Sequence, residues 1–561
     1  MTYEKDSIPD FALVPARQPA ERVRIPVTQD GIFTPLQITI VTDKPRTQIH
    51  LEEDILVPDT RPDLKEILDI SAKIRLSGRD FDGTARIDDP LPISGEVELQ
   101  TLYTPEKGSL YGPLISITTR VGFRENWHTA ITPGAALSLD VQIVSIESLV
   151  INERKYRVKI TLELCAREYR EQKLEIFHGI SGQEIQTLQE TAELTSTALR
   201  RKDILTISQE LDFDEDNPEI GTLLRQEIHA VENYRQATSE KVILNGFIYV
   251  NLLYLTPDQP SIEGSPEIAA EPNQIRALRT RVEFTQFIPL SHSESWSGSF
   301  AILDGSDLKV KEYTGEEGQR TLRLEGDLMT SIELYRNLEQ TLISDAYHQE
   351  KDFLCTFEEV PCRKLAASST GEAGIRELLP LENPLSSSEE ILFATARITS
   401  ADSHPEPGKI ITEGSLAVSI LCRCRDSLTD TQLFTVSQQV PFRCITASPY
   451  LDGSEVIRHR VYLKDLWAEK SGAHQAEFNA SVLVCAEAMT PVTLRLLQNP
   501  AFEEWEDGQP ERKAMAIYMV KDGDTLWTVA RKFKSTTDSI RRINQLQDEA
   551  LRTGQKLLIL R

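Results

Sequence analysis

Three segments of this 561-residue chain repeat one alternating pattern that starts at a glycine. The glycines are Gly95, Gly246 and Gly414, and the second, fourth, sixth and eighth residues after each of them are mostly apolar. These positions hold Val97, Leu99, Thr101 and Tyr103; Ile248, Val250, Leu252 and Tyr254; and Leu416, Val418, Ile420 and Cys422. Because alternate residues of a strand point to one face, the pattern predicts a half-buried antiparallel strand in each copy.

A second landmark follows each glycine at a similar distance. Phe123, Phe284 and Phe442 lie 28, 38 and 28 residues beyond their glycines. Landmarks that recur every 150 to 170 residues indicate duplicated domains, because the repeats of a solenoid are far shorter. Upstream of the first two copies, residues 62–68 and 218–224 share a proline-led pattern that is typical of a turn of helix.

The chain is too long for one core, so several domains are expected. We predict a multidomain fold of three tandem β-rich, antiparallel domains followed by a small α+β domain. The predicted bounds are an N-terminal extension at 1–45, β-rich domains at 46–190, 203–345 and 346–500, a linker at 501–512 and the small domain at 513–561. The third β-rich domain matches the other two least closely.

The last segment has its own pattern of elements. Residues 518–520 suit a short strand, and Asp522 and Gly523 suit a turn. Asp524 or Thr525 can cap a first helix, residues 535–537 can cap a second, and Gly554 turns the chain into a final strand at 557–560. The order strand, helix, helix, strand (βααβ) is therefore predicted.

This tail resembles the LysM domain in both its element order and its residues. The matching residues are Gly523, Asp524, Thr525, Leu526, Trp527, Asn544, Gly554, Gln555, Leu557 and Ile559. The resemblance implies a shallow groove that binds N-acetylglucosamine-containing glycans between two loops. The groove residues that it implies are Gly523, Asp524, Thr525, Leu526, Leu551, Arg552, Thr553 and Gly554.

Two other interpretations of the tail stay open. Leu526, Trp527 and Ile559 can instead fill a small core, with the two glycines serving only as turn residues. The groove can also bind protein, because Arg552 and Thr553 stand in a loop where many LysM relatives carry a proline. Basic residues of the tail would then steer an acidic partner; they are Arg531, Lys532, Lys534, Arg541, Arg542 and Arg552.

Charge is divided unevenly along the chain. The net charge is −26, but the segment from Tyr518 onward carries +4 and the rest −30. An acidic body argues against nucleic-acid binding. No uncharged apolar run approaches the roughly 20 residues that a membrane-spanning helix needs, and no secretory signal is recognisable. We therefore expect a cytoplasmic protein.

The seven cysteines are scattered through strand-like segments, which is typical of buried thiols in a reducing compartment. Cys422 and Cys424 form the closest pair, but they lack the second pair or the nearby histidine that a zinc site needs. We expect no metal site and no cofactor.

The body resembles the SPOCS-domain proteins of spore-forming Firmicutes. Residues 57–68 and the strands that start at Gly95 and Gly246 carry the resemblance, together with the order of tandem β-rich domains before one C-terminal LysM domain. The resemblance implies a non-enzymatic scaffold for spore-coat assembly at the forespore surface, in the mother-cell cytoplasm. Its LysM domain would dock to a spore-coat morphogenetic ATPase.

Two other functions compete with the scaffold. One is a glycan-binding protein of the cell wall or spore cortex, which binds peptidoglycan or a chitin-type polymer. The other is a wall hydrolase, but the sequence contains no H-E-x-x-H, G-x-S-x-G or Walker motif. We therefore expect no enzymatic activity and assign no catalytic residues.

Overall fold

A computed structural model of the chain describes residues 24–28, 30–78, 80–81, 90–106, 112–211, 220–257, 273–290, 295–314, 320–381, 390–427, 430–472, 474–505 and 515–560. Antiparallel strands dominate, and the two helices of the described residues both lie near the C-terminus. The predicted fold class, antiparallel β structure with an α+β tail, is confirmed at this level. Within these ranges, neither helix has the length and apolarity needed to cross a bilayer.

One short strand, which pairs with a strand of the third set, precedes the first set of strands. The strands are β1 (Arg24–Thr28), β2 (Gly31–Asp43), β3 (Thr47–Leu56), β4 (Leu64–Leu76), β5 (Asp80–Phe81), β6 (Leu91–Pro105), β7 (Ile115–Trp127), β8 (Ala136–Asn152) and β9 (Lys155–Ile180). β2 and β3 both pair with β9, which also pairs with β8, and β5 pairs with β8. β4, β6 and β7 form a separate three-stranded sheet.

The second set repeats this arrangement. Its strands are β10 (Gln186–Glu210), β11 (Thr222–Ala237), β12 (Lys241–Leu255), β13 (Ile275–Pro289), β14 (Gly298–Asp304), β15 (Lys309–Thr314) and β16 (Arg320–Tyr347). β10 pairs with β16, and β14 and β15 also pair with β16. β11, β12 and β13 form the three-stranded sheet.

The third set follows the same order. Its strands are β17 (Asp352–Pro380), β18 (Glu390–Glu406), β19 (Lys409–Ser427), β20 (Asp430–Ala447), β21 (Val456–Lys470) and β22 (Gln475–Trp505). β17 and β21 pair with β22, and β18, β19 and β20 form the three-stranded sheet. β1 pairs with the end of β22, so this strand joins the third set.

The landmark residues of the sequence face each other across the three-stranded sheets. Gly95 pairs with Phe123, Gly246 with Phe284, and Gly414 with Phe442. The spacing between landmarks therefore corresponds to a shared strand register. The 38-residue spacing of the second copy changes the length of the connection between β12 and β13 and leaves the register unchanged.

Equivalent residues of the three sets also pack on one another. Leu68, Leu224 and Leu392 contribute to one buried cluster. Ile38, Leu194 and Val360 contribute to a second cluster, formed by the long strands. The sets therefore share cores in addition to their own, and apolar burial of this kind is the main force that holds sheets together.

The distal half of each landmark strand differs from the half-buried prediction. Leu102, Leu253 and Leu421 lie seven residues after their glycines, on the face predicted to be polar, and all three are buried in the first shared cluster. This part of each strand is therefore buried on both faces, because a neighbouring set of strands covers the face that was predicted to be polar.

The predicted turn of helix at residues 62–68 is wrong. β4 begins at Leu64, and Leu68 faces the first shared cluster. The similar segment at 218–224 is described only from Ile220, and its last residues belong to β11. A proline followed by spaced apolar residues suits the start of a strand as well as the start of a helix. Here the segment forms a strand because β4 pairs with β6.

The predicted domain bounds stay a prediction. Of the predicted extension at 1–45, residues 24–28 and 30–45 are described, and they include β1 and β2. Of the predicted linker at 501–512, residues up to 505 are described, and these lie in β22.

Candidate ligand-binding site

The tail forms the expected strand, helix, helix, strand unit. Its elements are β23 (Met515–Met519), α1 (Leu526–Phe533), α2 (Thr537–Ile543) and β24 (Lys556–Leu560), and β23 pairs antiparallel with β24. Its core is built from Val520, Leu526, Val529, Ala530, Ile540, Leu557 and Ile559.

Side chains of the sequence motif fix the ends of these elements. Thr525 caps α1 by a reciprocal pair of bonds, in which the Thr528 amide donates to Thr525 Oγ1 (3.1 Å) and the Thr525 amide donates to Thr528 Oγ1 (2.9 Å). Thr536 caps α2. Asn544 then ties α2 to β24, because its side chain donates to the Leu558 carbonyl and accepts from the Leu558 amide, both at 2.7 Å.

Two loops lie side by side at one end of the unit. The Gly554 amide donates to the Val520 carbonyl (2.8 Å), and the Val520 amide donates to the Gln555 carbonyl (2.9 Å). Gly523 and Gly554 have φ angles of +82° and +83°, which favour glycine. A Cβ added at either glycine would contact nothing within 4 Å, so the surface above both loops is open.

Asp524 shapes the first loop. Its Oδ2 accepts the Lys521 amide and the Tyr518 hydroxyl, each at 2.7 Å. These bonds stabilise the ionised form and hold the pKa of Asp524 below its usual value. The bonds also join the loop to β23, so the loop is preorganised before any ligand arrives.

The structure brings the predicted groove residues to these two loops, with one difference in side-chain direction. Gly523, Thr525, Arg552, Thr553 and Gly554 are exposed, and Asp524 and Leu551 are partly buried. The Leu526 side chain is only 3% exposed and packs in the core of the tail. Leu526 therefore offers at most its backbone to a ligand.

Trp527 packs against the tail core, as one sequence interpretation expected, and it also contacts the body, which neither interpretation contained. Its ring packs edge-on against Tyr347 of β16, with ring centroids 5.0 Å apart, and its Nε1 donates to Asp345 Oδ2 (2.8 Å). Tyr347 is 1% exposed and donates to the Ser535 carbonyl (2.5 Å). The indole therefore lies at a contact between the tail and the body.

Two basic residues of the tail extend this contact. Arg531 pairs with Asp345 (2.8 Å), and Lys534 pairs with Asp352 of β17 (3.2 Å). Two of the six residues predicted to steer an acidic partner thus bind acidic groups of the same chain.

Sequence reasoning missed the body side of the contact, because Asp345 and Tyr347 are distant in sequence and carry no motif. The tail side had a signal in the sequence. Trp527 and Arg531 lie one helical turn apart (i, i+4) on a face of α1 other than its apolar one, and Lys534 follows at the C-cap.

No solved structure matches this chain. Among protein families, the LysM domain matches residues 518–560, which leaves the resemblance of the body to SPOCS-domain proteins a prediction. The elements, capping residues and paired loops described above all fall within the matched range or border it. Residues 518–560 of this chain are a LysM domain.

Proposed function

We propose that this chain is a non-enzymatic glycan-binding protein whose LysM groove binds an N-acetylglucosamine-containing polymer such as peptidoglycan. One observation carries the proposal. The described contacts between tail and body come from α1 and the turn that follows it, while five of the groove-loop residues stay exposed. The body therefore holds the LysM domain and leaves its groove accessible.

The chemistry of the two loops suits a sugar polymer. Glycines at 523 and 554 let a ligand approach the backbone closely, and backbone amides and carbonyls bond the hydroxyl and acetamido groups of such sugars. A preorganised loop also lowers the entropy cost of binding.

Asp524→Ala tests the groove directly. Loss of the two bonds to Asp524 loosens the first loop, so we expect affinity for chitin oligomers and peptidoglycan fragments to fall about tenfold or more. Calorimetric titration of the full chain measures this. Asp538→Ala is the matched control, because Asp538 is an exposed acidic residue of α2 that pairs with Arg541. An unmodified chain without saturable binding, or equal affinity of both variants, would count against the proposal.

A second candidate is the spore-coat scaffold, in which the LysM domain docks to a spore-coat morphogenetic ATPase at the forespore surface in the mother-cell cytoplasm. An exposed apolar face on the tail sheet favours a protein partner. Met515, Ile517 and Met519 of β23 are 60%, 75% and 56% exposed. Contiguous apolar surface of this kind is typical of protein interfaces.

Two substitutions separate the candidates. If the scaffold proposal is correct, Ile517→Asp abolishes capture of the purified ATPase by the full chain, while Asp524→Ala leaves it intact. If the glycan proposal is correct, Ile517→Asp leaves glycan binding intact. A chain that captures no ATPase but binds glycan rejects the scaffold.

A further inference from the structure

A cavity of about 220 Å³ lies in the body, among the long strands of all three sets. It is separate from the LysM groove. Its lining includes Arg167 of β9, Arg363 of β17 and Arg458 of β21, together with Glu333, Thr42 and Cys362. Three guanidinium groups at one small cavity stand out in a body whose overall charge is strongly negative.

Two of the arginines are neutralised by carboxylates. Arg458 forms a two-fold ion pair with Glu333, at 2.6 and 2.9 Å. Arg167 Nε bonds Asp43 Oδ1 at 2.6 Å. These pairs have the short, directed geometry of strong charge-assisted hydrogen bonds.

Among the residues that the structure describes, Arg363 has no comparable partner. Its closest ion pair is with the other oxygen of Asp43, at 3.9 Å, and that carboxylate is already bonded to Arg167. Burial lowers the pKa of Arg363, and the charges of Arg167 and Arg458 add to the lowering, while Asp43 opposes it. A bound anion would relieve this repulsion.

A further carboxylate near the cavity does not restore the balance. Glu487 lies 3.9 Å from Arg458 and accepts the Tyr335 hydroxyl at 2.8 Å. Burial raises the pKa of Glu487 to about 7, so a large share of this group is uncharged at neutral pH.

We propose that this cavity binds a small oxyanion, the phosphate or carboxylate group of a small molecule, with Arg363 as its principal ligand. The guanidinium plane presents paired donors that match both groups. The volume restricts the ligand to a small one, since pockets for drug-sized molecules are about 300 Å³ or larger. The Arg363 side chain is 33% exposed, which gives the ligand a path from solvent.

Inorganic phosphate and succinate are the probes, each added to the full chain and compared with sodium chloride at equal ionic strength. We expect one or both to raise the melting temperature in a saturable manner, because a ligand of the folded state stabilises it. The anion that saturates at the lower concentration identifies the ligand class.

Arg363→Gln should weaken this binding about tenfold or more. Arg376→Gln is the matched control, since Arg376 lies on the same strand, pairs with Glu477 and is 74% exposed; it should bind like the unmodified chain. If Arg363→Gln fails to fold, the anion affinity of Arg363→Lys is measured instead, because this variant keeps the charge and loses the paired donors. Absence of a saturable effect beyond sodium chloride, or unchanged affinity in the folded Arg363 variants, overturns the proposal.

Discussion

The three landmark glycines lie at places where the neighbouring strand leaves no room for a side chain. A Cβ added at Gly95 would lie 2.6 Å from the Arg75 carbonyl oxygen and 2.9 Å from the Phe123 ring. At Gly246 and Gly414 the carbonyl oxygens of Val231 and Ser400 would be closer still. A repeated glycine in a strand pattern thus marks a close approach of backbone.

Gly246→Ala should lower the free energy of unfolding by about 2 kcal/mol or more, because the added methyl group forces the backbone of β11 to move. Urea denaturation measures the change. Gly122→Ala is the control, since a Cβ at that strand position contacts nothing within 4 Å. Similar losses in both variants would show that strand propensity, and not the contact, is responsible.

Glu487 makes stability depend on pH. Its pKa is raised from 4.5 to about 7 in the folded chain, chiefly by burial. A raised folded-state pKa contributes stability that is fully present below about pH 4.5 and is lost as the pH rises through about 7. Glu487→Gln should therefore raise the melting temperature at pH 8 and change it little at pH 5.

Thermal melts at the two pH values check this expectation. Glu413→Gln serves as the control, because Glu413 is exposed and pairs with Arg443 at the surface. A Glu487→Gln variant that melts lower than the unmodified chain at pH 8 would contradict the assignment.

At the scale of single elements, two faces of α1 make contacts with other parts of the chain. One packs Leu526, Val529 and Ala530 into the tail core, and the other presents Trp527 and Arg531 to Asp345 of the body. The helix is only eight residues long, so its stability depends on both contacts more than on its own propensity.

Asp345→Asn tests the second face. Asp345 Oδ2 accepts bonds from both Trp527 and Arg531, and loss of its charge should weaken docking by about 1–3 kcal/mol. We expect the tail to melt separately, at a lower temperature than the body, in calorimetric scans of the full chain. Asp538→Asn, at an exposed position of α2, should melt like the unmodified chain. An identical scan for Asp345→Asn would show that docking does not depend on this group.

Some elements of this chain could be predicted from its sequence, and others could not. The tail was predictable because its caps and turns are local: Thr525 caps the helix that it precedes, and Gly523 and Gly554 form turns. The second face of α1 was not, because its partner Asp345 lies about 180 residues upstream. The wrong helix at 62–68 has the same origin, since pairing with β6 outweighs local preference.

At the scale of the whole molecule, the three sets share one plan. In each, the first long strand pairs with the last, and a three-stranded sheet lies between them in sequence. The alternation after each landmark glycine predicted the central strand of that sheet, which is β6, β12 or β19. It did not predict the cavity among the long strands, because Arg167 belongs to the first set, Arg363 and Arg458 belong to the third, and they lack a common motif.

The pairing of first with last strands determines when each set can fold during synthesis. Gly31 pairs with Ile180, and Gln186 pairs with Tyr347. The first strand of each of these sets can therefore pair only after about 150 further residues have been synthesised. β1 waits longest, since Arg24 pairs with Trp505. Long-range pairing of this kind slows folding and leaves strand edges open to other chains. We therefore expect the nascent protein to need chaperones until β22 is complete.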